Sequence, residues 1–149
     1  MEDYDKWNEI KKKIELLEKD INIKEANVYL LSIGKNIGNE SYGKGDIFLR
    51  PVLVLKKLGH NYFIGIPMTS KKKVGSYFFE FFYKDKFSYA MFNQVKTINS
   101  KRILKYHGKI KQDDFKKLKN EFTKFLYWKV EVGAIKAKCG NIIQEFYLR

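Results

Sequence analysis

This chain is short of the residues that usually announce a chemistry. It has one cysteine and two histidines among 149 residues, too few for a zinc site of four Cys or His ligands. A single thiol, Cys139, permits no intrachain disulfide and suits a reducing compartment. No paired carboxylates and no histidine-rich cluster suggest a catalytic metal. A Gly-rich loop ending in Lys-Ser/Thr is missing, and so is a Gly-x-Ser-x-Gly nucleophile elbow. Gly34, Gly38, Gly43 and Gly45 follow a strand pattern, but their spacing is not a dinucleotide fingerprint and no βαβ unit surrounds them. No apolar run approaches the roughly 18 residues of a membrane span. Met1-Glu2-Asp3-Tyr4-Asp5 has neither the basic nor the apolar region of a secretory signal. The expectation is a soluble cytoplasmic protein that uses no metal and no cofactor.

What is abundant is positive charge. Lys and Arg number 30 against 17 acids, a formal net charge of +13. Such an excess calls for an anionic partner, nucleic acid first and an acidic protein or membrane surface next. An AT-rich coding sequence also enriches Lys, Asn, Ile, Phe and Tyr, so part of the excess belongs to any solvated surface. Aromatics make up 16%, with 12 Phe and 10 Tyr, ample for the core of one domain that buries about two-thirds of its unfolded surface.

Periodicity divides the chain into three parts. Trp7, Ile10, Ile14, Leu17 and Ile21 step by three and four, which predicts an amphipathic helix over 3–22 within an N-terminal segment 1–24. Strand patterns follow: Val28 to Ile33, Arg50 to Lys57, Tyr62 to Met68, Gly75 to Tyr83, and Ser88 to Ile98, with Gly59-His60-Asn61 as a hairpin turn. Asp113 and Asp114 suit the first turn of a second helix, whose apolar face is Phe115, Leu118, Phe122, Phe125 and Leu126. Short strands with tight turns predict a mainly β, α+β small barrel over 25–129. A C-terminal extension, 130–149, has no assigned role.

The two prolines lie in the two most pointed segments, Leu49-Arg50-Pro51-Val52-Leu53-Val54-Leu55 and Ile66-Pro67-Met68-Thr69-Ser70. Proline cannot donate to a ladder and so marks strand boundaries. Antiparallel pairing of the two strands puts Arg50 and the hydroxyls of Thr69 and Ser70 at one edge, a phosphate-handling arrangement. Metal-free cleavage of RNA needs a base for the 2′-hydroxyl, a cation for the phosphorane charge, and donors for the phosphate. Glu40, Arg50 and Thr69 supply these types. Lys44, Lys71, Lys72 and Lys73 would hold flanking backbone, with Gln94 and Lys96 further along the barrel. Residue by residue, plainer readings compete: Arg50 as a strand cap, Thr69 and Ser70 as turn residues, the lysine run as a solvated loop, and His60 and His107 as exposed turn histidines.

Taken in order, the segments resemble the MazF/PemK toxins of type II toxin–antitoxin systems. The likeness rests on Asn36-Ile37-Gly38-Asn39-Glu40 leading to the Arg50-Pro51 strand, on Ile66-Pro67-Met68-Thr69-Ser70, on Phe92-Asn93-Gln94-Val95-Lys96-Thr97-Ile98 with Lys101-Arg102-Ile103, and on Gly108-Lys109-Ile110 before the helix. It covers roughly residues 26–127. The resemblance implies an SH3-like barrel of the MazF/CcdB type, a homodimer, and a metal-independent endoribonuclease (mRNA interferase) neutralised by an antitoxin protein. It makes Arg50 and Thr69 the catalytic pair, with Glu40 beside them and Gln94 near the substrate groove. A non-catalytic barrel that binds nucleic acid or protein, as a degenerate toxin, regulator or gyrase poison, is the alternative.

Overall fold

The computed structural model describes residues 2–127, and the expected extension 130–149 lies outside them. Helix α1 (Glu2–Glu15) leads into β1 (Asn27–Ser32), β2 (Leu49–Lys57), β3 (Tyr62–Thr69), β4 (Phe78–Tyr83), β5 (Lys86–Met91), β6 (Lys96–Asn99) and β7 (Ile103–Lys109), then α2 (Gln112–Tyr127). The sheet order is β4-β5-β3-β2-β1-β7, with β6 also beside β3. The assigned pairings are antiparallel. Strand β3 changes partner along its length. Tyr62 to Gly65 pair with Asn99 to Lys96 of β6, whereas Met68 and Thr69 pair with Ala90 and Tyr89 of β5. Sharing one strand between two sections curls the sheet into the small α+β barrel. On the far side Tyr83 of β4 meets His107 of β7, with ring centroids 5.9 Å apart.

The unbroken apolar run of β2 has a structural cause: the strand is covered on both faces. Alternation sends Leu53 and Leu55 to a cluster with Ile66, Met68, Phe92 and the α2 residues Phe115 and Leu118. It sends Val52 and Val54 to a second cluster with Tyr29, Leu31, Phe63, Ile98 and Ile103. Each such side chain contributes about 1.5–3 kcal/mol on burial, so this strand is the backbone of the fold.

Two sequence expectations are corrected. The first helix stops at Glu15 rather than reaching 22. Ile21 packs on the second cluster and Ile23 is 1% exposed; residues two apart point to opposite sides of a helix, so a helix here would expose one of them. Lys19 fastens the non-helical stretch by donating from Nζ to the Ile103 carbonyl at 2.7 Å. The expected strand Ser88–Ile98 is two strands with a 3-10 turn, Phe92–Gln94, between them. Phe92 stays in the core against Phe79, Phe122 and Phe125, and the corner carries the chain from the end of β3 to its start. Among the described residues, no helix is long and apolar enough to cross a membrane.

Candidate nucleic-acid interface

Alternation along β2, β3 and β6 gathers the polar candidates on one face. Arg50 shares parity with Val52 and Val54, Thr69 with Phe63 and Gly65, and Lys96 with Ile98. Val52, Phe63 and Ile98 belong to one cluster, so Arg50, Thr69 and Lys96 continue that face beyond its apolar part. The β2–β3 ladder runs out at Val52 opposite Pro67. Continuing its register by two residues sets Arg50 across from Thr69, but there β3 has turned away to β5 and β2 pairs with β1, Arg50 opposite Leu31. The strands part and leave a cleft. The Arg50 guanidinium spans it, donating from Nε to the Tyr42 carbonyl at 2.6 Å and from Nη1 toward the Met68 carbonyl at 3.5 Å.

The long β1–β2 loop is folded back on this cleft. Gly43 N donates to the Gly34 carbonyl at 2.9 Å, and Lys44 and Leu49 exchange two backbone bonds of 2.8 Å. A Cβ on Gly43 would stand 1.6 Å from the Phe48 carbonyl oxygen, so only glycine fits this neck. Its tip carries Glu40. Gln94, from the 3-10 corner, grips the tip on both sides of that residue: Ser41 N donates to Oε1 at 2.7 Å, and Nε2 donates to the Asn39 carbonyl at 3.2 Å. Gln94 therefore acts here as a clamp on the Glu40 loop. Nine residues stand between Glu40 and Arg50 along this folded-back loop; burial lowers the pKa of Lys96, and the Glu40 charge opposes that shift.

Electrostatics add a residue that sequence reasoning passed over. Arg102, in the 3-10 turn Ser100–Arg102, donates from Nη1 to the Ser32 carbonyl at 3.3 Å and lies 5.5 Å from the centroid of the Trp7 ring. Burial pushes the pKa of Arg50, Lys96 and Arg102 below their ordinary values; at Lys96, Glu40 opposes the shift while the charges of Arg102 and Arg50 add to it. Lys96 thus feels both arginines, yet none of these three half-buried cations forms an ion pair with a carboxylate among the described residues. Buried charges are ordinarily paired, and an anion arriving from outside would supply the partner that this group lacks among the described residues. A signal for Arg102 was present: arginine provides only three of the 30 basic residues, and two of those three meet here.

The remaining candidates lie around the cleft. Thr69 Oγ1 accepts from Lys71 N at 3.2 Å, which shapes the turn after β3 and sets Ser70 and Lys71–Lys73 in solvent. Lys73 lies 5.7 Å over the Phe78 ring. Lys44, exposed, is bridged to Leu49 next to Arg50. The histidines are not brought together. His60 sits in the β2–β3 turn 3.1 Å from Asp20, and His107 is on β7 against Lys84. Burial first, then Lys84, Lys105 and Lys86, hold His107 below the ordinary histidine pKa. No group of three or more His, Cys, Asp or Glu that could hold a metal occurs among the described residues.

The fold resembles that of an endoribonuclease solved in complex with its cognate antitoxin from a Mycobacterial species, with a TM-score of 0.53 and 12% identity. The likeness covers 70% of this chain and 94% of that one. No match is found among curated proteins. A family model described as a PemK-like, MazF-like toxin of type II toxin–antitoxin systems matches residues 24–126, well over half of the chain and the whole of the barrel with most of α2. This chain therefore belongs to the PemK/MazF toxin family of type II toxin–antitoxin systems.

Proposed function

We propose that this toxin is a metal-independent endoribonuclease that cuts single-stranded RNA by attack of a 2′-hydroxyl on the adjacent phosphate. The observation that carries the reading is the unpaired group of Arg50, Lys96 and Arg102 beside Thr69, with the clamped Glu40 loop at the cleft mouth. A scissile phosphate seated there meets charge suited to its dianionic transition state. Glu40 takes the 2′-hydroxyl proton, the new bond forms from O2′ to phosphorus, and the bond from phosphorus to O5′ breaks. Water supplies the proton to O5′, leaving a 2′,3′-cyclic phosphate and a 5′-hydroxyl. Thr69 and the Arg50 fork hold the non-bridging oxygens. Exposed Lys44 and Lys71–Lys73 attract flanking phosphates.

The partners follow from the same reading. An antitoxin with an acidic segment complements the cationic cleft, as suits a fold resembling an endoribonuclease solved with its antitoxin. Family membership supports a homodimer, and messenger RNA as substrate places the protein in the cytoplasm.

The test is incubation of the purified protein with a long single-stranded RNA in excess EDTA, followed by mapping of the ends. Discrete cuts bearing cyclic phosphates are expected, and Thr69→Ala should slow them by about tenfold or more, as for loss of a phosphate donor. RNA left intact at high protein concentration overturns the nuclease in favour of a non-catalytic binder.

A second expectation concerns pH. Lys96 is charged below its pKa, and burial lowers that pKa from 10.5. Affinity for RNA should therefore fall on the alkaline side earlier than an ordinary lysine would dictate. Lys96→Arg keeps the charge to higher pH, so the alkaline limb measured by fluorescence anisotropy should move upward. A limb that stays in place assigns it to another group.

A further inference from the structure

A second basic surface lies where helix α1, outside the family domain, meets the barrel. Helix α1 leans on the 3-10 turn Ser100–Arg102 and leaves a groove of about 640 Å³ between them, with Lys11, Lys12, Lys101, Arg102, Tyr62 and Asn99 in its walls. Tyr62 is 52% exposed there, a ring offered to solvent. Glu15 also lines the groove and is satisfied by Lys101, whose Nζ lies 3.2 Å from Oε1 and donates to the Glu15 carbonyl at 2.7 Å. Lys12 reaches Glu9 at 2.8 Å, an exposed pair that water screens. The balance of the walls stays positive. Arg102 stands between this groove and the cleft: it lines the groove, and its Nη1 donates to the carbonyl of Ser32, one residue from Leu31, which lies opposite Arg50.

We propose that this groove is an extension subsite for single-stranded RNA, holding nucleotides that flank the cleavage point. Lys11, Lys12 and Arg102 take the phosphates and Tyr62 stacks a base. The proposal rests on the RNA reading above. Charge and continuity favour RNA over an acidic peptide: cations spaced along a path that leads from the cleft, with an exposed ring among them, match a polyanion with flat bases. Helix α1 lies outside residues 24–126, so Lys11 and Lys12 come to the subsite from beyond the matched domain, while Tyr62 and Arg102 belong to it.

The experiment uses the full chain and 2′-O-methyl RNA, which lacks the attacking hydroxyl and reports binding whether or not cleavage occurs. Two lengths, about 5 and about 12 nucleotides, bracket the span of one binding surface. The wild-type protein should bind the longer RNA more tightly. Lys11→Gln/Lys12→Gln should remove most of that advantage, about tenfold, and lower the salt slope for the longer RNA by about 1.4, since each lost phosphate contact is worth about 0.7. Tyr62→Ala should cut the advantage without changing the slope. Lys116→Gln/Lys117→Gln on α2, with the same change in net charge, should leave it intact.

Equal weakening of both lengths, or an unchanged slope, overturns the subsite. So does a Lys11→Gln/Lys12→Gln variant that keeps its preference for long RNA while losing affinity for a polyglutamate peptide, which would make the groove a protein-docking site. Failure of the nuclease reading shows separately, as unmodified RNA that is bound but never cut.

Discussion

Replacing Arg50 with alanine should lower single-turnover cleavage of saturating RNA by about 10²–10³-fold or more, the loss seen when a preorganised transition-state donor is removed. The variant should stay folded. Arg50 bonds only to the carbonyls of Tyr42 and Met68 at the cleft mouth, where water can replace it. Its burial disfavours the charge that it carries, with no carboxylate paired to it among the described residues. Removing one cation from a group of three also relieves repulsion, so the melting temperature should hold or rise, as for residues kept for function at the expense of stability. Arg50→Lys should recover only a small part of the rate, because one ammonium cannot hold the Tyr42 carbonyl and grip a phosphate in parallel. Cleavage by Arg50→Ala within about threefold of wild type would falsify the assignment.

The segments that define this cleft were legible because β2 and β3 are constrained by elementary rules. A β2 run covered on both faces had to be apolar throughout, and a short hairpin turn sets antiparallel register by itself. From these rules alone, Arg50 and Thr69 fall at one sheet edge. The structure adds that the strands separate there, because β3 has a second partner in β5. No local pattern announces a change of partner. Strand β7 escaped for a related reason: Leu104, Lys105 and Tyr106 are all exposed and its register against β1 shifts twice, so the two-residue alternation is lost.

Gln94 and Arg102 show the limit differently. Each acts through a 3-10 corner between strands, and its partners lie far away in sequence: Asn39 and Ser41 for Gln94, Ser32 and Trp7 for Arg102. Spacing within one element cannot reveal such contacts. Composition could have helped, since a chain that uses lysine almost everywhere keeps arginine where a planar fork is needed. Nine residues separate Glu40 from Arg50, a span that sequence spacing cannot fold. Folded back through Gly34, Gly43 and the Lys44–Leu49 bridge, it sets the Tyr42 carbonyl on Arg50 itself.

Trp7→Ala should be the most destabilising change in α1, at about 3–5 kcal/mol, a fall in melting temperature of about 10 °C for a domain of this size. Trp7 is the one buried residue of α1, 6% exposed, with Phe48 at 5.7 Å and the Arg102 guanidinium at 5.5 Å from its ring. It also sits on Gly34, the base of the Glu40 loop, where an added Cβ would fall 2.1 Å from Trp7 Cε2. Gly34→Ala therefore carries two penalties, the ring clash and a left-handed φ of +87°. In a Trp7→Ala background the clash is gone and about 1 kcal/mol of backbone strain remains. The two substitutions should be clearly less than additive by urea denaturation, a coupling expected of touching residues. Full additivity would mean that the ring does not rest on the loop. If the coupling is found, cleavage by Trp7→Ala at a temperature where it is folded should still be impaired. Arg102 would have lost its aromatic support and the Glu40 loop its floor, so a helix beyond the family barrel would be holding two of the groups that the reaction uses.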